Sequence, residues 1–181
     1  GLKWATRNVG ASSPTDYGDY YAWGETSPKS VYDWSTYRYC NGSYNSLTKY
    51  CSSSSYGYNG FTDGLTTLQP DDDAATANYG GRTPTQAEWQ ELIDNTTHQW
   101  ETIDGVNGYR FTGSNGNSLF LPAAGDRYGS DIDGAGRYGY YWSSSLYTVG
   151  PYCAWSCDFN SGSVDMNSGS RYYGLTVRAV R

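Results

Sequence analysis

This chain must build its core from aromatic rings, because it has few aliphatic side chains to use. Nine Leu, three Ile, seven Val and four Phe stand against 20 Tyr and seven Trp in 181 residues. That aliphatic share lies well below the roughly 20% under which highly charged chains stay disordered. Charged residues make up only 17%, however, unlike a solvated tail, and each Tyr or Trp buries a large area. The reading is a compact domain with an aromatic core and surplus tyrosines on its surface. The 23 glycines and dense turn signals exclude long helices over most of the length.

The length fits a single domain spanning residues 1–181. A formal net charge of −6 makes a poor phosphate binder, which argues against nucleic-acid partners. No stretch approaches the roughly 20 apolar residues of a membrane-spanning helix. The chain opens on Gly1 without Met or a charged-then-apolar leader, so it is expected to be the C-terminal part of a longer protein. Cys40 and Cys51 could close a loop in an oxidising compartment. Cys153 and Cys157 fall on one extended strand, about 13 Å apart at roughly 3.3 Å per residue, beyond disulfide reach. With no C-x-x-C pair and a single His, no metal site or cofactor is expected.

Residues 4–9 read as a strand and residues 20–23 as a second, short one. Residues 28–70 are low in complexity, and a loop that long is usually functional or pinned by its own side chains. Asp71-Asp72-Asp73 before Ala74-Ala75-Thr76-Ala77 suits a helix N-terminus. A calcium site is disfavoured, since no D-x-D-x-D spacing follows. The one clear helix is expected within residues 83–95. Thr85 and Glu88 form its capping box, with Thr83 and Gln86 as a second frame, and Trp89, Leu92 and Ile93 make one buried stripe. His98 reads as a surface or boundary residue. Beyond it the period falls to two. Residues 109–112 and 118–121 flank Asn115-Gly116, a hairpin signal. Residues 141–144, 153–159 and 175–180 are further strands, with a tight turn at Asn160-Ser161-Gly162. The fold class is α+β, with short antiparallel strands, one clear helix and long loops.

After Glu101 the chain contains no Lys, Glu or Gln. Gly, Ser, Tyr, Asn, Asp and Arg dominate what remains. Tyr, Ser, Gly and Asn are the palette of antibody-like surfaces, where Tyr supplies rigid contact area and small residues adapt by hydrogen bonding. A Gly/Ser/Tyr-rich β protein with half-buried tyrosines has the same composition. Alternation over residues 154–159 places Trp155, Cys157 and Phe159 on a core face and turns Ser156 and Asp158 outward. Val164 and Leu175 also read as core, and residues 165–173 as a polar loop with a Tyr pair.

Several stretches coincide with one family. They are Trp4-Ala5-Thr6-Arg7-Asn8-Val9-Gly10-Ala11, Gly18-Asp19-Tyr20-Tyr21-Ala22-Trp23-Gly24-Glu25-Thr26 and Arg82-Thr83-Pro84-Thr85-Gln86-Ala87-Glu88-Trp89. Leu121-Pro122-Ala123-Ala124-Gly125, Tyr141-Trp142-Ser143-Ser144-Ser145 and Gly174-Leu175-Thr176-Val177-Arg178 complete the set. Over nearly its whole length the chain resembles the C-type-lectin-fold domains that occur as paralogous sets in gut bacteria. Many of these are variable proteins of diversity-generating retroelements.

In such cassettes adenines of a template are replaced at random during reverse transcription. AAC codons then reach Asn, Tyr, Ser, Asp, Gly, Cys and Val among others, but not Lys, Glu, Gln, Met or Trp. The resemblance implies variable, ligand-binding positions at Tyr138, Tyr140, Tyr147, Val149, Tyr152 and Cys153. It implies others at Ser156, Asp158, Ser163, Asp165, Asn167, Ser168, Gly169, Ser170, Tyr172 and Tyr173. All are reachable types. Trp142, Trp155, Phe159, Val164 and Val177 would be fixed scaffold, while Cys157 and Met166 depart from the Leu and Pro of the family.

The implied function is recognition of a protein or glycan ligand on a cell or phage surface, from a cell-surface, extracellular or phage-tail location. A fixed, calcium-independent carbohydrate-binding lectin is the alternative. The formylglycine-generating enzymes share this broad fold and use a C-terminal Cys pair that Cys153 and Cys157 superficially match. A reactive thiol needs a basic neighbourhood, however, and Asp158-Phe159-Asn160 supplies none. The chain is therefore not expected to be an enzyme.

Overall fold

The computed structural model describes residues 1–181. Its helices are short and local signals set them. Asp73 caps α1 (Ala74–Asn78) by accepting from the Ala75 N–H, so the acidic run does serve a helix N-terminus. Asp72, 1% exposed, accepts instead from Lys49 Nζ at 2.7 Å and from the hydroxyls of Tyr39 and Tyr50. α2 (Gln86–Asp94) begins in the Thr85–Glu88 capping box. Thr83, the other candidate frame, donates its hydroxyl to Asp73. Trp89 is fully buried, and Leu92 and Ile93 pack against the same cluster.

The strands lie in three small antiparallel sheets, which makes the fold α+β. β1 (Thr96–Ile103), β2 (Val106–Gly113) and β3 (Ser118–Pro122) pair in that order. The β2–β3 hairpin turns at Asn115-Gly116, as its sequence predicts. β1 carries no clear period and was not expected. His98 lies on it, exposed and packed on the Phe111 ring at 5.2 Å. β4 (Asp126–Tyr128) and β5 (Asp131–Asp133) form a ribbon. β6 (Gly139–Leu146), β7 (Cys153–Asn160) and β8 (Ser163–Ser170) form the third sheet, with Tyr140 opposite Asp158 and Asp158 opposite Asp165.

Two strand expectations need correction. Residues 163–170 are strand β8 rather than the start of a polar loop. Their alternation holds only Val164 and Met166 as apolar members, too few to announce a strand, and pairing to β7 supplies the rest. Residues 4–9 and 20–23 join residues 175–180 through isolated bridges, Trp4 to Val180 and Tyr21 to Leu175, instead of regular strands. Single bonds reinforce them, including Lys3 N–H to Arg181 O and Ala5 N–H to Ala179 O, both 2.9 Å. The two ends of the chain are therefore neighbours.

Aromatic rings fill the interior. Trp23, Trp89, Trp142, Tyr21, Tyr32, Tyr50 and Tyr141 are fully buried, and burial of rings this size costs little only when their polar ends are satisfied. Trp23 Nε1 donates to Ser143 O at 2.8 Å and Trp142 Nε1 to Tyr21 O at 2.7 Å. Ser143 lies where β6 slips register between Trp142 and Leu146. That bulge frees backbone carbonyls for the indoles.

Two buried arginines complete the accounting. Arg178 donates to Asn8 Oδ1 and to the carbonyls of Ala5 and Phe120. Arg171 donates to the Tyr37 hydroxyl and the carbonyls of Lys49, Tyr50 and Pro151. Arg171 thereby pins the long 28–70 segment from inside. All four cysteines are free, and no helix is long and apolar enough to cross a membrane.

Candidate functional site

Cross-strand pairing fixes which side chains of the β6–β7–β8 sheet share a face. Tyr141, Cys157, Phe159, Val164 and Met166 turn toward Trp89 of α2 and form one apolar cluster. On the other face, Trp142 and Ala154 are closed over by Tyr21, Trp23 and Leu175. Further along that face Tyr140, Asp158 and Asp165 come into the open. Tyr140 and Asp158 are half-buried and Asp165 is exposed.

Tyrosines surround this opening. Tyr138 stacks on Tyr140 at 6.1 Å and 26°, and Tyr172 on Tyr173 at 4.7 Å and 21°. Tyr128 contacts both Tyr172 and Tyr173, and Trp34 lies 5.0 Å from Tyr172. Burial pushes the Asp158 carboxyl up to about 7, with Asp126 and Asp165 adding repulsion and the Ser156 hydrogen bond opposing it. Burial and then Asp133 raise Asp126 to about 6. The Tyr140 phenol rises to about 12 through burial and the nearby Asp126 and Asp158. The result is a rigid aromatic surface over a partly desolvated acidic floor.

The structure divides the sequence-predicted residues. Tyr138, Tyr140, Asp158, Asp165, Tyr172 and Tyr173 gather at this opening. Ser163, Asn167 and Gly169 lie on the same face of β8, with Gly169 against the Trp142 ring. Cys153, Ser168 and Ser170 fall on the opposite face. Tyr147, Val149 and Tyr152 belong to the loop between β6 and β7, where Val149 is 81% exposed.

Ser156 is a correction. It does not point into solvent but is 1% exposed and donates to Asp158 Oδ1 at 2.7 Å. Its face is the same as that of Asp158, but at its position the core of Trp142 and Ala154 already covers the sheet. Trp155 is likewise not a fully buried scaffold residue. It is half-buried and packs edge-on against Tyr147 at 4.9 Å.

Sequence reasoning missed Trp34, Tyr44, Tyr56, Tyr128 and Asp126. Trp34, Tyr44 and Tyr56 lie in the low-complexity segment, where no period distinguishes one aromatic from the next. Cys157 is fully buried, and burial followed by Asp158 and Asp165 holds its thiol well above the usual range. Cys153 is also raised by burial, so neither thiol is poised as a nucleophile. A groove of about 740 Å³ lies elsewhere, between Leu2, Trp4 and the β2–β3 residues Phe111, Leu119 and Phe120. None of the sequence-predicted residues lines it.

A family model described as a domain of unknown function, DUF8237, matches residues 102–180. The match begins where Lys, Glu and Gln cease in the chain, and it spans β2 to β8. No curated protein and no solved structure matches the chain.

Proposed function

We propose that this chain is a ligand-binding domain of C-type-lectin fold, a variable protein of a diversity-generating retroelement, with its diversified face in the C-terminal region. It acts by recognising a protein or glycan on a cell or phage surface, from a cell-surface, extracellular or phage-tail location, without catalysis. One observation carries this reading. Strands β6 and β7 hold Trp142, Cys157 and Phe159 at 3% exposure or less, while the same two strands and the residues next to them present Tyr138, Tyr140, Asp158, Tyr172 and Tyr173 around one opening. Scaffold and contact residues are thus separated, Cys157 and Phe159 by strand alternation and Trp142 by the segments that close over its part of the sheet, which lets contacts change without disturbing the core. Residues 1–101 support the sheet on both faces, Tyr21 and Trp23 on one and Trp89 on the other.

The test is genetic. Sequencing the gene's surroundings in several isolates should reveal a reverse transcriptase and an adenine-rich near-copy of the 3′ end. Substitutions between isolates should concentrate at the named positions other than Ser156. A gene without that near-copy, varying evenly along its length, would contradict the diversified reading and favour a fixed lectin.

A further inference from the structure

A second aromatic patch lies apart from the Asp158 opening, and two of its three rings fall outside residues 102–180. Tyr44 and Tyr56 come from the long N-terminal loop and meet Tyr152 from the β6–β7 loop. Centroids are 5.7 Å for Tyr44–Tyr152, 5.3 Å for Tyr56–Tyr152 and 6.3 Å for Tyr44–Tyr56. Tyr147 stands beside them, since both its ring and that of Tyr152 lie against Gly150. The two loops are joined by Ser52 Oγ, which donates to Thr148 O at 2.8 Å.

These tyrosines differ from the interior ones in how their hydroxyls are used. Tyr32, Tyr37, Tyr50 and Tyr141 donate to partners inside the fold. Tyr44, Tyr56, Tyr147 and Tyr152 make no side-chain hydrogen bond within the chain, and Tyr44 is 49% exposed. A cluster of large rings left this open, with its polar tips unspent, marks an interaction surface.

Charge selects the partner. Residues 39–48, 50–62 and 138–157 contain no Asp, Glu, Lys, Arg or His. The patch therefore offers ring faces, phenols, Ser and Thr hydroxyls and Asn amides, and no formal charge. A charged surface would lose hydration there with nothing to replace it. A neutral, polyhydroxylated ring loses little, because its C–H face stacks on tyrosine while its hydroxyls bond to phenols and amides.

We infer that Tyr44, Tyr56 and Tyr152 form a calcium-independent site for a neutral pyranose. The site takes Tyr152, which the diversification reading leaves variable, together with Tyr44 and Tyr56, which it leaves fixed, so the two readings can fail separately.

The experiment is affinity electrophoresis of the full chain through gels containing neutral glucan, mannan or galactan, with EDTA present, followed by variants. Wild type should be retarded by at least one polymer. Tyr44→Ala and Tyr152→Ala should each weaken retention by about tenfold, equivalent to about 1.4 kcal/mol. Glu91→Ala and Gln99→Ala, at exposed positions of α2 and β1, should leave it unchanged. Melting curves of all four variants should match wild type, which separates lost contacts from lost folding. Retention by no neutral polymer would overturn the inference. So would retention that falls no further in Tyr44→Ala and Tyr152→Ala than in Glu91→Ala and Gln99→Ala, or a protein partner whose binding depends on Tyr44. None of these outcomes bears on whether the face at Asp158 is diversified.

Discussion

A fully buried hydroxyl, Ser156 Oγ, donates a 2.7 Å hydrogen bond to Asp158 Oδ1 at the margin of the tyrosine-lined opening. Ser156 therefore belongs to the support of the site and Asp158 to its floor. The pair marks where core ends and candidate contact surface begins. Replacing Ser156 with Tyr would force a large ring beside Trp142 and Ala154. Overpacking a filled core costs roughly 1–3 kcal/mol, at times more, so Ser156→Tyr is expected to lower the Tm clearly. Ser156→Ala should cost about 1 kcal/mol, the usual worth of such a bond. Thermal denaturation of both variants checks this, and a Ser156→Tyr protein as stable as wild type would place the hydroxyl in solvent.

Asp158 also sets a pH dependence. Its carboxyl titrates near 7 in the folded chain against an ordinary value of 3.8, so between those limits the folded state binds more protons than the unfolded state. Its contribution to stability is complete below about pH 4 and is lost as pH rises through 7. Asp126, raised to about 6, acts in the same direction. Asp158→Asn, which carries no charge at any pH, should raise the Tm at pH 8 and flatten its fall between pH 5 and 8. Calorimetry across that range decides, and parallel profiles for the two proteins would show that Asp158 is well solvated.

The core side of the same strands should behave oppositely to the tyrosines. Trp142→Ala and Phe159→Ala remove fully buried rings, and such truncations cost roughly 3–5 kcal/mol. Most of the stability of a domain this size lies within roughly 5–15 kcal/mol, so both variants should unfold or melt far lower. Tyr172→Ser, at a half-buried surface position, should stay within a few tenths of a kcal/mol to about 1 kcal/mol of wild type. Chemical denaturation with near-UV circular dichroism measures all three.

Arg171 sits one residue before Tyr172, inside the stretch expected to vary, yet it is fully buried. Its fork satisfies the carbonyls of Lys49, Tyr50 and Pro151 together. Lys has the charge but not the planar fork. Arg171→Lys should therefore destabilise by about 2 kcal/mol or more and loosen the 28–70 segment, read as faster limited proteolysis there. Unchanged proteolysis would mean that the segment is held by Asp72, Tyr37 and Leu47 without Arg171.

Local signals carried much of this structure into the sequence. The Thr85–Glu88 box, the Trp89 stripe, the Asn115-Gly116 hairpin and the Asn160-Ser161-Gly162 turn each depend on residues a few positions apart, and each forms. What escaped depends on distant partners. Ser156 alternates correctly with Trp155 and Cys157, but alternation does not say where another segment covers the sheet. Strand β8 has too few apolar residues to announce itself without β7. Tyr44 and Tyr56 look like their low-complexity neighbours until the fold sets them beside Tyr152. Nothing local marks Arg171 and Arg178 as buried, because the carbonyls they serve lie far away in the chain.

The central claim is that the tyrosine-bearing positions can change freely while the scaffold cannot. A display library tests it most directly. Tyr138, Tyr140, Tyr147, Tyr152, Asp158, Asp165, Asn167, Tyr172 and Tyr173 would be randomised together, beside a control library randomised at Tyr141, Trp142, Cys157 and Phe159. Folding would be scored by protease resistance and binding by selection against unrelated protein and glycan targets. Most of the first library should remain folded and yield target-specific binders, while the control library should be largely protease-sensitive. A first library as protease-sensitive as the control, or folded but unable to yield any binder, would contradict the account.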